Sequence, residues 1–229
     1  MKKLLLLAVL LGFSSVSAQY CAFYDFEAKN PEMVISTLEG MMKTGWGEGI
    51  QGTKSLFMYQ FNGTNRATHS VQFCFPDEKA FSHFMSSFAQ SVDAQLFGEK
   101  LGNFVSDVSQ TLNTPVWYNG KDWANDNAFM LYQMNVTDPS KYLKEFKTYS
   151  QFIAKKLGFD QNSFGLAYPI IGKTGEYTHF VWIGAPDAEA ALSRTKQMMS
   201  DPSFADFTKK VSGIRTMVNT VLSIRVMDF

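Results

Sequence analysis

One phrase carries two of the histidines. Thr68-His69-Ser70-Val71 runs on to Pro76-Asp77, and Thr178-His179-Phe180-Val181 runs on to Pro186-Asp187 with the same internal spacing. A histidine at a repeated position can serve as a base or a ligand. A metal site, however, needs several convergent donors, and no His, Asp or Glu spacing in this chain supplies them. The two cysteines, Cys21 and Cys74, are too few for a cysteine metal site and too far apart for a close-spaced redox motif. No serine sits in a nucleophile elbow. The Gly45-Trp46-Gly47-Glu48-Gly49 stretch lacks the following helix that a phosphate cradle requires. What remains is a small polar set, Asp25, Gln72, Gln133 and Arg225, in a chain with 21 Phe, 9 Tyr and 4 Trp. Aromatic walls with a few polar groups make a small-molecule pocket if the fold brings them together.

The repeated phrase belongs to a longer repeat of about 110 residues. Tyr24 followed by Asn30-Pro31 reappears as Tyr132 followed by Asp138-Pro139, and Val105-Ser106 with Asn113-Thr114 is matched to Val211-Ser212 with Asn219-Thr220. Asn or Asp at an N-cap accepts a backbone amide, and Pro at the first helical position forfeits no hydrogen bond. Both Asn30-Pro31 and Asp138-Pro139 therefore start helices. In the first repeat, strands are expected at Tyr20 to Phe26, Leu56 to Phe61, His69 to Phe75 and Pro115 to Tyr118. A helix bears Met33, Leu38 and Met41-Met42, and a long helical segment bears Phe81, Phe84, Met85, Phe88, Val92 and Leu96. The second repeat reads as strand Ala128 to Met134, helix Ser140 to Leu157, strand Leu166 to Ile170, a turn at Gly172 to Gly175, strand Thr178 to Gly184, helix Ala188 to Met199 and strand Val221 to Met227. The expected division is 1–18 leader, 19–120 first repeat, 121–127 joint and 128–229 second repeat.

Each repeat thus reads β-α-β-β-α-β, an α+β ferredoxin-like plan in which both helices cover one face of a four-stranded antiparallel sheet. The bare faces must be buried, and two units in one chain can bury theirs against each other. This layout, with the segment Ser200 to Phe207 after the second long helix, resembles the dimeric α/β-barrel superfamily and its antibiotic-biosynthesis-monooxygenase-like members, here as a tandem pseudo-dimer packed sheet to sheet. The resemblance implies cofactor-independent oxygenation of an electron-rich aromatic substrate. Haem, a further family possibility, would need an axial ligand.

In the ferredoxin-like order the first and third strands are antiparallel neighbours, which sets Cys21 opposite Cys74; the alternatives are a disulfide or two small buried thiols. Alternation then places Phe23, Asp25, Ser70 and Gln72 toward the space between the sheets and Ala22, Tyr24, Phe26, Val71, Phe73 and Phe75 toward the helices. By the repeat, Phe129, Leu131, Gln133, Phe180 and Trp182 face inward in the second unit. On the last strand Leu222, Ile224 and Val226 should meet the helices, turning Ser223 and Arg225 inward, with Trp117 as the counterpart of Ser223. The ligand-binding candidates are Asp25, Gln72, Trp117, Gln133, Phe180, Trp182 and Arg225. Tyr24, His69, Tyr132 and His179 are secondary, the histidines being expected at the sheet edge beside Thr68 and Thr178, and His83 on the surface.

Met1-Lys2-Lys3 followed by the apolar run Leu4 to Phe13, with Val16 and Ala18 at the peptidase positions, has the layout of a secretory signal peptide cleaved after Ala18. An exported protein, periplasmic or secreted, follows. The 21 basic and 21 acidic residues cancel and form no run, so nucleic acid is not an expected partner. No membrane anchor is expected after cleavage, no cofactor or metal is implied by the residues, and the pseudo-dimer is expected to be a monomer. Three functions stay open: a binder of a small apolar or aromatic molecule between the sheets, a monooxygenase-like enzyme at the same place, or an interaction module whose large side chains fill the seam.

Overall fold

The computed structural model describes residues 20–172 and 176–229; the expected leader and part of the Gly172 to Gly175 turn lie outside the described residues. The first unit comprises β1 (Tyr20–Ala28), α1 (Pro31–Met42), a single turn α2 (Gly45–Glu48), β2 (Thr53–Phe61), β3 (His69–Phe75), α3 (Glu78–Gln90), α4 (Val92–Gly102) and β4 (Val105–Tyr118). The second comprises β5 (Ala128–Val136), α5 (Pro139–Leu157), β6 (Phe164–Ile171), β7 (His179–Ala185), α6 (Ala188–Ser200), α7 (Pro202–Val211) and β8 (Arg215–Asp228).

The helix starts obey the capping chemistry read from the repeat. The Asn30 side chain accepts the Met33 amide at 3.2 Å and the Asp138 side chain that of Lys141 at 3.0 Å. The two Pro-Asp breaks are also caps, since Asp77 and Asp187 each accept an amide at 2.8 Å, from Ala80 and Ala190. The long helical segment of the first unit is two helices. Ser91 ends α3 in an extended conformation and its hydroxyl oxygen accepts the Ala94 amide of α4.

All strand pairs are antiparallel, and the eight close into one barrel in the order β1-β3-β2-β8-β5-β7-β6-β4. The two sheets therefore face each other across the interior and also pair at both edges. This closure needs strands longer than the short segments Pro115 to Tyr118 and Val221 to Met227. Both β4 and β8 run 14 residues, pairing first with their own unit through β1 or β5, then with the other unit through β6 or β2. Their first halves are polar and carry little helix-facing grease, which conceals them from a search for apolar runs.

The register corrects the repeat's alignment at its end. Cys21 lies opposite Asn113 and Phe129 opposite Ser223, so Ser223 is the counterpart of Asn113, not of Trp117. Val211, matched to Val105 by spelling, lies in α7 instead of a strand. Each long strand then breaks register at an equivalent place. β4 shifts between Pro115 and Trp117, and β8 shifts between Arg225 and Met227, leaving Val116 and Val226 as the extra residues. Val226, expected against the helices, is consequently exposed.

Helices cover the outside of the barrel. Phe26, Leu38, Leu56, Phe73, Phe75 and Phe84 form the helix-side core of the first unit; Met134, Tyr142, Phe146, Ile153, Leu166 and Phe207 form that of the second. The strand alternation read from the sequence puts Ala22, Tyr24, Phe26, Val71, Phe73 and Phe75 on this side, as expected. Cys21 and Cys74 form a disulfide between β1 and β3 with their Cα atoms 4.0 Å apart. It closes a loop spanning 53 positions. Reduction, or the Cys21→Ala/Cys74→Ala double variant, should lower unfolding free energy by about 2–4 kcal/mol through the freed entropy of the unfolded chain. Urea melts with and without reductant measure this; coincident midpoints would show the bridge to be dispensable.

Candidate functional site

The barrel interior is built from the inward side of each strand and is not uniform along its axis. At the end nearer the disulfide, β1 offers Phe23, β2 Ser55 and Phe57, β3 Gln72, β4 Asn113, β5 Phe129 and Leu131, β6 Ala167, β7 Phe180 and Trp182, and β8 Ser223. These border a cavity of about 100 Å³. The rings pack on each other around it: Phe23 and Phe180 at 5.9 Å, Phe180 and Trp182 at 6.5 Å, and Phe57 edge-on to Phe129 at 5.6 Å. Gly165, the β6 partner of Trp182, makes room for the indole, since a Cβ there would collide with the ring.

Arg225 stacks against two rings of the wall. Its guanidinium lies over Phe57 and Phe129 at 5.7 and 5.8 Å, donates to Asp228 at 2.8 Å and to the Trp123 carbonyl at 2.6 Å. Trp123 comes from the joint between the units and lines the cavity. The joint is itself pinned: buried Asp126 accepts the Ser163 amide at 2.9 Å and the Asn127 amide donates to the Ala185 carbonyl at 2.9 Å.

Farther along the barrel the interior turns polar. Asp25 accepts hydrogen bonds from Tyr59 at 2.9 Å and Ser109 at 2.8 Å. Burial pushes its carboxyl above the usual carboxylate range, and the hydrogen bonds from Ser109 and Tyr59 pull it part of the way back. Burial and the neighbouring Asp25 charge also raise the Tyr59 and Tyr177 phenols, so both stay protonated. Gln133 belongs to this end, its amide favouring the ionised Tyr177 by a hydrogen bond.

The structure thus brings Gln72, Phe180 and Trp182 to the aromatic cavity, with Arg225 stacked on its wall, and sets Asp25 and Gln133 deeper in the barrel. Trp117 is a correction. The β4 bulge turns it to the same side as Leu166, outside the barrel, where it packs on Phe146 and Phe164 at 5.9 and 6.0 Å beneath Lys147. The secondary candidates also lie outside. Tyr24 meets Phe73 edge-on, and His69 stacks on Phe26 at 5.9 Å with its Nδ1 2.9 Å from the Thr68 hydroxyl. Burial lowers the His69 pKa, favouring the neutral ring. His179 makes the same 2.9 Å contact with Thr178.

Tyr132 lines a second cavity, of about 210 Å³, between the outer face of the second sheet and α5, α6 and α7. Its wall includes Tyr149, whose buried hydroxyl has no hydrogen-bond partner, and Arg215. Sequence reasoning missed this space, as well as Phe57, Asn113 and Trp123 in the barrel. The alternation Ser55, Phe57, Tyr59 along β2 was the available signal for Phe57. Nothing local marks Trp123, which reaches the cavity only because the joint folds over the barrel's end.

Neither a family model nor a curated protein matches the sequence. Solved structures do match over nearly the whole chain. A candidate monooxygenase from Fusobacterium nucleatum superposes with a TM-score of 0.56 at 15% identity, covering 93% of this chain and 98% of the other. An anthrone oxidase-like protein gives 0.56 at 10% identity, covering 93% of each. A haem-binding protein from Thermus thermophilus gives 0.54 at 10%, covering 92% of each. This is the dimeric α/β-barrel fold. Here it is carried by one chain whose two units supply four strands each.

Neither cavity of this barrel offers haem a histidine or a free cysteine as axial ligand. His69 and His179 border neither cavity, His83 is exposed on α3, and both cysteines are in the disulfide. The larger cavity, about 210 Å³, is below the roughly 300–1,000 Å³ of sites for drug-sized ligands. Among the described residues no three His, Cys, Asp or Glu side chains cluster as a metal site would require.

Asp25 makes a pH prediction. Its folded-state pKa is raised, so between the unfolded carboxylate value and the raised one the folded protein holds the extra proton, and stability falls as pH rises through that window. Above it, a charged carboxylate is buried. Asp25→Asn keeps the hydrogen-bonding shape and should melt higher than the parent at pH 7, with the gap closing toward pH 4. A gap that does not change with pH would refute the assignment.

Proposed function

We propose that this chain is an exported protein that binds a small aromatic molecule inside its barrel, between the two sheets. The observation that carries this reading is the space left open among Phe23, Phe57, Phe129, Phe180 and Trp182. Five large rings converge there without filling the interior. An eight-stranded barrel has room for its own side chains or for one small ligand. The leader-like first 18 residues and the Cys21–Cys74 disulfide support export to an oxidising compartment.

Binding, not turnover, is the better reading. Among the described residues no His, Asp, Glu, Lys or Arg lines the cavity, and Asp25 is tied up by Tyr59 and Ser109. Oxygenation, the activity in the name of the F. nucleatum protein, would have only the Tyr118 phenol at hand to move a proton. A second reading puts the ligand on the helix side of the second unit. The larger volume there and the unpartnered Tyr149 hydroxyl favour it.

A substitution separates the two sites. A ligand at 100 times its Kd adds about 2.7 kcal/mol to stability, which is roughly 5–10 °C in Tm for a chain of this size. p-Xylene should produce such a rise as its concentration approaches saturation. Ala167→Leu, which places three more carbons in the barrel cavity, should abolish the rise. A rise that survives Ala167→Leu but is lost in Thr195→Leu, which fills the helix-side cavity, would move the site there.

A further inference from the structure

Two of the buried polar groups without partners belong to residues that line the aromatic cavity. Asn113 and Ser223, only 2% and 1% exposed, form part of its lining, and neither Asn113 Oδ1 nor Ser223 Oγ has a hydrogen-bond partner. The direction of the Asn113 amide is determined by its surroundings. Nδ2 donates to the Cys21 carbonyl at 3.3 Å and to the Thr111 hydroxyl at 3.0 Å. A carbonyl can only accept, so the amide oxygen cannot take that place and is the atom left unpaired. An unsatisfied buried acceptor costs about 1–3 kcal/mol.

The two groups are equivalent in the repeat, Asn113 standing opposite Cys21 in β1 and Ser223 opposite Phe129 in β5. Their strands, β4 and β8, are four places apart in a ring of eight, so they occupy opposing walls of the same space. The rest of the lining fixes what else can enter. The aromatic walls suit a ring, and about 100 Å³ leaves room for no more than one, since an engineered apolar cavity half as large again, about 150 Å³, takes a single benzene. An anionic ligand would find no lysine or arginine in the lining, the nearby Arg225 guanidinium donating to Asp228 and to the Trp123 carbonyl.

We infer that the cavity selects a neutral monocyclic phenol, whose O–H is donated to Asn113 Oδ1 while the Ser223 hydroxyl, able to donate or accept, serves the ligand's polar edge from the other wall. This rests on the barrel-interior reading above and names the ligand class for that site.

p-Cresol and p-xylene form the test pair, because they differ by O–H against CH3 at nearly constant shape. Calorimetric titration of the full chain should give p-cresol at least tenfold tighter binding than p-xylene, and p-toluate no binding. Ser223→Ala and Asn113→Leu should each shrink the cresol-to-xylene affinity ratio several-fold. Asn113 also holds the Cys21 carbonyl, so Ser223→Ala is the variant least exposed to a folding defect, and thermal melts check both. Equal affinity for p-cresol and p-xylene, or a ratio unmoved by either substitution, overturns the phenol inference while the barrel site stands. If neither compound binds, the barrel-interior reading fails with it.

Discussion

Closure of the barrel is the constraint on which the rest depends. A four-stranded sheet with helices on one face has a bare face and two open edges, and either is a liability in water. Here both are removed at once. The edges β2 and β6 are taken up by β8 and β4 of the other unit, and the bare faces become the interior. Only strands long enough to serve two sheets can do this, which is why β4 and β8 are the longest in the chain. Each must also bend from one sheet to the next, and the bulges at Val116 and Val226 are the places where it does so.

Those bulges decide which side chains reach the interior. Before the bulge, alternation puts Asn113 and Ser223 inward; after it, Trp117 is turned out to meet α5. A reading that carries a period of two straight through Val116 places Trp117 on the wrong side. The alternation along β1, β3, β5 and β7 was legible because each is a short uninterrupted apolar strand, and Phe180, Trp182 and Gln72 followed from it. β4 and β8 were legible only at their apolar ends. Their polar first halves look like loop, and only pairing with β1 and β5 makes them strand. The cysteine pair was legible because strand order alone sets Cys21 opposite Cys74, whereas the placement of Trp123 depends on how a polar joint crosses the barrel's end.

The two histidines show why repetition is a weak guide to chemistry. Each follows a threonine whose hydroxyl meets the ring Nδ1 at 2.9 Å, and the same threonines accept the backbone amides of Ala28 and Val136 at 2.9 Å. The Thr-His phrase is thus a joint that ties the start of β3 or β7 to the end of β1 or β5. It is kept in both units because both need the tie. The inner face has instead diverged: at paired positions, Asp25 against Gln133, Cys74 against Gly184, and Asn113 against Ser223.

Divergence of that kind gives the interior a direction. One end is polar, with Asp25 accepting from the Tyr59 and Ser109 hydroxyls; the other is aromatic, held by the disulfide and by Arg225 across the joint. Filling both ends with rings would have buried more apolar surface, and filling both with partnered polar groups would have left no gap. The aromatic end does neither, leaving open space and the Asn113 Oδ1 and Ser223 Oγ atoms unpaired. Close packing and complete hydrogen bonding are what folding by itself favours. Where a region departs from both, as this end of the barrel does and as the helix-side cavity with its unpartnered Tyr149 hydroxyl does, the departure is better explained by something the region must admit than by anything the fold needs.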